Sequence, residues 1–432
     1  MTATEIQTLT KTPEDKATIA EYVKSLKEHG FCKIDDSASQ QTRLFNRFTG
    51  DLLHASFLEN DFVRWAYENK KEVEFPSASY IMRTLDHVVG QKFDPSGGVY
   101  STEPRSRLRY VNTYQRYEPS GTNKELSPLW FEFWERLIVD PVQRHQALQW
   151  LAHAFQFPSE RPSYHLMWPS EPGTGKGYLF ENVLHPLLRH TDVINSYAKL
   201  TDRFSTVLET SLMVLLDDCK TSSEATQTKL KSILSEERQY IEKKQQQGKM
   251  VSSYTRFILA SNEVRPLFLD ADERRWLVFD RLVHKVDGAE TQEFITRLDS
   301  WLKLPGSLDA VFHWFMTYDL TGFNHKRAPQ SEALKMMVAL SKNPHEEFAA
   351  DYAKDHVIFT LTELQEAFKD AGLSAAKASH VPHFMSRLGY AKAQLKFANE
   401  PRSVYWFPVG MPRDQVQRFR KRCAREVQGA KF

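Results

Sequence analysis

Apolar and polar positions follow two rhythms along this chain. Between Glu14 and His29, Ile19, Tyr22, Val23 and Leu26 recur at helical spacing, and Phe57, Phe62, Trp65 and Ala66 repeat that rhythm within 52–69. Residues 1–100 therefore read as a mainly helical N-terminal domain, closed by the turn cluster of residues 90–98. Residues 101–160 read as a helical lead-in, with Leu129, Trp130, Phe133 and Trp134 on one helix and Ala147, Leu148, Leu151, Ala152 and Phe155 on the next. From Tyr164 the rhythm changes to short unbroken apolar runs, at 164–168, 212–216, 255–261 and 276–279. Runs without a polar face predict strands buried on both sides, as in a parallel α/β sheet.

Beyond that sheet, residues 310–319 form an aromatic helix (Phe312, Trp314, Phe315, Tyr318) that suits a lid, so the sheet domain is expected over 161–342. Over 343–410 the pattern is helix, turn, helix, hairpin, which predicts a winged helix. Thr360 or Thr362 would cap its first helix, and a hairpin would close around Asn399-Glu400-Pro401. Residues 411–432 hold seven lysines and arginines against two acidic residues, a basic tail.

Composition narrows the picture only slightly. The 432 residues are 41% hydrophobic and 26% charged, ordinary for a globular protein, and a net charge of +2 names no partner. Cys32, Cys219 and Cys423 stand in no ligand spacing, which fits a reducing cytoplasm and argues against a structural zinc site. No apolar run approaches the ~20 residues of a membrane span, and the polar N-terminus reads as neither signal nor transit peptide.

The chemistry concentrates after the first apolar run. Ser170-Glu171-Pro172-Gly173-Thr174-Gly175-Lys176-Gly177 sits between an expected strand and an amphipathic stretch beginning at Tyr178. Such a turn bends backbone N–H groups around a phosphate, the helix adds its positive end, and Lys176 reaches the outer phosphates. The match to G-x-x-x-x-G-K-[ST] is incomplete. Ser170 replaces the first glycine and Gly177 the Mg²⁺-binding hydroxyl, so a plain glycine turn is the alternative.

Forty-one residues after Lys176, an apolar strand ends in Asp217-Asp218. Carboxylates at a strand's C-terminal end suit Mg²⁺ and the orientation of an attacking water, here assigned to Asp217 and Asp218 respectively. An aspartate turn is the plainer reading. A hairpin centred on Gln247-Gly248-Lys249 offers Lys243, Lys244 and Lys249 to a phosphate backbone. Asn262 ends the next strand, as a turn former or a γ-phosphate contact. Arg274 and Arg275 enter the last strand, as surface ion-pair partners or as fingers supplied to a neighbour's nucleotide. Arg105, Arg107, Arg109 and Arg116, interleaved with tyrosines, read as a solvated strand or a single-strand surface. In the C-terminal domain, Lys377, His383, Arg387 and Lys396 are the residues expected to meet DNA. No paired carboxylate motif with a partner histidine marks a primase site.

The ordered set, Gly173, Gly175 and Lys176, then Asp217-Asp218, a lysine hairpin, Asn262 and Arg275, resembles the superfamily 3 helicases, ring motors of the AAA+ type. Gly-Thr-Gly-Lys-Gly, Phe93-Asp94-Pro95 with Val111-Asn112-Thr113-Tyr114, and the exit Pro329-Gln330-Ser331-Glu332-Ala333 resemble the phage and mobile-element primase–helicase branch, helicase part only. The resemblance spans about 90–350. It implies a P-loop AAA+-like α/β core binding ATP through Ser170, Pro172–Lys176, Gly177 and Tyr178, and Mg²⁺ through Asp217 and Asp218. It also implies Asn262 at the γ-phosphate and Arg275, aided by Arg274, acting in trans. Further implications are a homo-hexamer, one DNA strand gripped in the channel by Lys249 with 3′–5′ movement, and duplex or fork DNA on the winged helix. A separate primase or replication protein would dock at the N-terminus, in the cytoplasm of a bacterial host. An origin-binding initiator ATPase without unwinding activity and a protein-acting ring ATPase are the rival readings.

Overall fold

The structure, a computed structural model, describes residues 12–36, 41–202, 206–219, 224–242, 248–263, 266–267, 269, 272–340, 344–373, 376, 381–395, 403–418 and 421. It is mixed α/β and divides into two compact units, with the boundary between Lys335 and Met336.

The first unit opens with helix Pro13–Glu28, whose start is a capping box: the Thr12 hydroxyl accepts from Asp15 N, and the Asp15 carboxylate accepts from Thr12 N. Its apolar stripe, Ile19, Tyr22 and Leu26, is buried with Leu44, Leu58 and Phe62. The expectation of a mainly helical N-terminal domain is corrected here. Strands β1 (Phe31–Asp36), β2 (Gln41–Asn46), β3 (Leu52–Leu53) and β4 (His87–Val88) form a sheet in the order β3-β2-β1-β4. A second small sheet, β5 (Gly90–Lys92), β6 (Tyr100–Thr102) and β7 (Arg109–Asn112), follows it. Two arginines of the basic run are used internally. Arg109 pairs with Asp86 at 3.0 Å and lies over the Tyr100 ring, and Arg116 donates to the Phe155 carbonyl at 3.1 Å.

Helices Pro128–Leu137 and Pro141–Gln156 form where the spacing placed them, each with a proline in its first turn and a polar N-cap, Ser127 or Asp140. Their aromatics Trp130, Phe133, Trp134 and Trp150 are almost completely buried. Each removes roughly 150–250 Å² from water, worth up to about 4–6 kcal/mol, so they are core and not site.

The central sheet comprises β8 (His165–Pro169), β9 (Thr191–Ile194), β10 (Met213–Asp217), β13 (Arg256–Ser261) and β14 (Trp276–Val278), in the order β14-β8-β13-β10-β9. All four pairings are parallel. From β8 the chain crosses to β9 at the far edge; from β13 it crosses to β14, beyond β8. These two neighbours thus send the chain in opposite directions along the sheet, and the carboxyl ends at such a switch point are the usual ligand position of an open α/β sheet. Between β10 and β13 the antiparallel hairpin β11 (Arg238–Ile241) and β12 (Lys249–Ser252) is present as expected, with Tyr240 opposite Met250.

Helices Gly288–Leu302 and Ser307–Thr317 pack onto the same core, with Phe155 and Phe315 stacked at 4.5 Å. Asp309, 1% exposed, ties this region to the lead-in. Its carboxylate accepts from Tyr117 Oη at 2.6 Å, Ser120 N at 3.2 Å, Ser120 Oγ at 2.8 Å and Gly121 N at 2.9 Å.

The second unit contains helix Pro344–Asp355, β15 (Phe359–Thr360), helix Leu361–Asp370, helix Val381–Arg387 and the antiparallel pair β16 (Tyr390–Leu395) and β17 (Ser403–Pro408). The sheet order is β15-β17-β16. Thr360 is the cap, in a reciprocal box with Glu363, and Leu364, Phe368, Val381, Met385 and Trp406 are buried together. His383 and Arg387 belong to the third helix. Lys377, Lys396 and the Asn399–Pro401 turn lie outside the described residues.

Burial raises the Asp309 pKa, but the Tyr117, Ser120 and Gly121 hydrogen bonds outweigh it and hold the carboxyl below its usual range. The stability it contributes is present above the unfolded carboxylate pKa and is lost as pH falls through its lower native value. Asp309→Asn is expected to cost about 1.5–3 kcal/mol at neutral pH in denaturant unfolding, with the difference from wild type shrinking in acid.

Candidate nucleotide and nucleic-acid site

At the carboxyl end of β8 the chain does not turn at once. Ser170 N donates to the Ser261 carbonyl at 2.8 Å and Glu171 N to the Leu282 carbonyl at 2.8 Å, so the loop starts anchored to the end of β13 and to the segment after β14. Ser170 is fully buried, and its φ is not among the positive ones, so a glycine is not required there. The left-handed positions are Gly173 (φ +81°) and Gly175 (φ +101°). A Cβ at Gly175 would also stand 3.1 Å from the Phe133 ring. Thr174 is buried and its hydroxyl donates to the Glu171 carbonyl at 3.3 Å.

Lys176 begins a helical run, Lys176–Leu179, that continues through a π-turn, Phe180–Leu184, into His185–Leu188. A Cβ at Gly177 would meet nothing within 4 Å, so sterics do not exclude the missing hydroxyl. Tyr178, expected at the nucleotide, instead packs on Phe133 in the core, ring centroids 6.2 Å apart.

Asp217 ends β10, one strand beyond β13, in register with Ala260. Its carboxyl is pushed up by burial and by the Asp218 charge, with Lys176 pulling it back. Lys176 is pushed down by burial, against the pull of Asp217 and Asp218, and Arg281 adds to the depression. These shifts bring the loop lysine and the carboxylates into one electrostatic site. Asp218 takes a left-handed conformation (φ +46°), and both of its oxygens are engaged: Oδ1 accepts from Asn262 N at 2.9 Å and Oδ2 from Asn262 Nδ2 at 3.0 Å. The two aspartates thus stand in different surroundings: Asp218 is held on Asn262, in place of the attacking water expected for it, while Asp217 faces the Lys176 charge.

Sequence reading missed two groups. Arg281, beyond β14, donates to the Asn262 carbonyl at 3.1 Å and lies close enough to Lys176 to perturb it. His284 clamps the loop: Nε2 is 2.9 Å from the Pro172 carbonyl oxygen, and its N donates to Glu171 Oε2 at 3.3 Å. Neither belongs to a recurring pattern; the signal available was an arginine and a histidine a few residues after a buried strand.

Arg275 lies at the opposite end of the sheet, its carbonyl accepting from His165 N at 2.8 Å. The five residues of β8 span ~16 Å, too far for Arg275 to reach its own loop. Within the chain Arg275 pairs with the buried carboxylate of Glu273 at 3.2 Å and donates to Ser235 Oγ at 2.8 Å. Arg274 is exposed.

On the hairpin, Lys249, expected to grip DNA, is engaged by Glu209 at 2.7 Å. The Lys249 side chain is still half exposed, and Tyr240 and Met250, facing each other across the two strands, are 60% and 51% exposed. Lys243 and Lys244 lie outside the described residues.

Residues 168–275 match the model of a family of unknown function, DUF5906. That segment begins two residues before Ser170 and ends on Arg275. The DNA primase-polymerase of Nitratiruptor phage NrS-1 is 27% identical over 137 residues, 31% of this chain and 19% of that protein. The alignment thus covers about a fifth of this relative's length. The apo structure of the NrS-1 C-terminal region (305–718) aligns with a TM-score of 0.57 at 15% identity, covering 88% of this chain and 97% of that one. A second apo form aligns with a TM-score of 0.57 at 16% identity, covering 90% and 99%. The chain is a distant relative of a phage primase-polymerase and shares the fold of that protein's C-terminal region. Among the described residues no helix is long and apolar enough to cross a membrane.

A carboxyl whose native pKa is raised favours folding at low pH, and that contribution disappears as pH rises through the native value. Ionised Asp217 thus opposes folding at neutral pH. Asp217→Asn is expected to raise the melting temperature without nucleotide or metal, by on the order of 1–3 °C, and to abolish the further rise on adding Mg²⁺ with ATP.

Proposed function

We propose that this chain is an ATP-dependent DNA helicase of phage or mobile-element replication, working as a ring. One observation carries the reading: the sheet order brings the Ser170–Lys176 loop, Asp217 and the Asp218–Asn262 pair to one edge, while Arg275 stands at the other. That division suits a P-loop AAA+-like core of the superfamily 3 type, in which ATP lies between subunits. The loop amides and Lys176 would hold the phosphates. Mg²⁺ would rest on Asp217, water and phosphate oxygens, with no hydroxyl from Gly177. Asn262, oriented by Asp218, would contact the γ-phosphate or the attacking water, and Arg281 would report its charge within the same subunit. Arg275, too far from its own loop, would serve a neighbour's. Its ion pair with Glu273 must then exchange on assembly, so Arg275→Ala removes a fold contact as well as a finger.

The relationship to a phage primase-polymerase supports the replication context. The second unit, with helix, strand, two helices and a strand pair in that order, suits a winged helix that would hold duplex or fork DNA. For the hairpin, the grip on the translocating strand passes from Lys249 to Tyr240, whose exposed ring can stack on a base, with Met250 beside it. The same exposed pair would suit a ring that pulls on protein, so the substrate is decided by experiment.

On a forked duplex with Mg²⁺ and ATP, the wild type is expected to displace a strand. Tyr240→Ala is expected to slow displacement at least about tenfold, from the loss of base stacking, while ATP hydrolysis without DNA is unchanged. Hydrolysis by the wild type without any strand displacement would favour the initiator or the protein-acting ring.

A further inference from the structure

Three segments converge near the starts of β8 and β13, away from the loop edge. His153 lies in the last turn of helix Pro141–Gln156, Glu160 in the connection leading to β8, and His325 in the connection after helix Ser307–Thr317. One donor atom from each lies within 4.8 Å of the others. The shared atom is Glu160 Oε2, 3.5 Å from His153 Nε2 and 3.9 Å from His325 Nε2. The two imidazoles stack, centroids 5.1 Å apart and planes 19° from parallel.

His153 is the anomaly. It is 3% exposed, and neither of its ring nitrogens has a hydrogen-bond partner. A neutral imidazole carries one donor and one acceptor, and burying both unmet is costly. The ring therefore keeps a lone pair, pointed at a place where a carboxylate and a second imidazole already gather. The neighbouring cations are committed elsewhere. Arg256 donates to the carbonyls of Phe157 at 2.9 Å and Glu160 at 2.6 Å, and Lys326 pairs with Glu237 at 3.3 Å.

We propose that His153, Glu160 and His325 bind a divalent transition-metal ion, with zinc the best match and a fourth position left to water. Two imidazoles and one carboxylate form a zinc donor set; Mg²⁺ prefers oxygen alone, so the ion expected at Asp217 is not a competitor here. Donor atoms around tetrahedral zinc stand roughly 3.3 Å apart, so side-chain shifts of about 1 Å close the site. Glu160 and His325 are 49% and 30% exposed at the side chain, leaving an approach for the ion and its water. Bound there, the ion fastens the end of helix Pro141–Gln156 and the entry to β8 to the connection carrying His325, and so braces the sheet from the end opposite the loop. The cysteine spacing carries no sign of it, because the ligands lie 7 and 165 residues apart in the chain.

The test is zinc titration by calorimetry on the full chain, stripped of metal and without nucleotide, with Co²⁺ absorption as a reporter of geometry. The expected result is one ion per chain and a tetrahedral cobalt band. In the double variant Glu160→Gln/His325→Ala, whose positions are partly exposed, affinity falls at least about tenfold and the band is lost, with circular dichroism unchanged. Asp217→Asn binds zinc like the wild type. The proposal is overturned by a wild type that takes up no ion, by a double variant that binds with wild-type affinity, or by binding that disappears with Asp217→Asn.

Discussion

The position of β13 between β8 and β10 is the constraint on which the candidate site depends. Parallel register sets Asp217 beside Ala260 and Ser261 beside Pro169, so three strand ends finish at one level. The double hydrogen bond from Asn262 to Asp218 joins two of those ends and fixes the asparagine amide against the carboxylate. A slip of one residue would carry buried Arg256 away from the Phe157 and Glu160 carbonyls that its guanidinium donates to.

The site also stores electrostatic cost. Lys176 is depressed and Asp217 raised, each by burial first, so the unliganded edge favours neither charge fully. Under the proposed function a phosphate with its metal would relieve both, the anion offsetting Lys176 and the cation offsetting Asp217. Local instability without ligand is the expected companion of affinity for one, and the neighbouring strands β8 and β13, fully buried, supply the stability that offsets it.

Much of this arrangement was legible in the chain. Unbroken apolar runs located β8, β10 and β13, because a strand covered on both faces has no polar positions to obscure it. Glycine, lysine and aspartate at their ends located the loop and its acidic partner. The N-terminal strands escaped notice because β1 and β2 are rich in polar residues and show no unbroken apolar run, while β3 and β4 have two residues each. The Lys249 partner was illegible for another reason: Glu209 is 40 residues away and joins it only through the fold. Arg281 and His284 come to the loop through the pairing of β14 with β8, a neighbour relation that no local spacing expresses.

The central claim is that the edge formed by Ser170–Lys176, Asp217 and Asn262 turns over ATP. It is tested most directly by the steady-state rate of Mg²⁺-dependent ATP hydrolysis, wild type against Lys176→Ala, with both proteins shown to be folded. The account predicts turnover by the wild type and a fall of at least about a hundredfold in the variant, since a phosphate-charge contact is lost where charge develops. Equal rates in the two proteins, or no hydrolysis by the wild type with or without DNA, would contradict it.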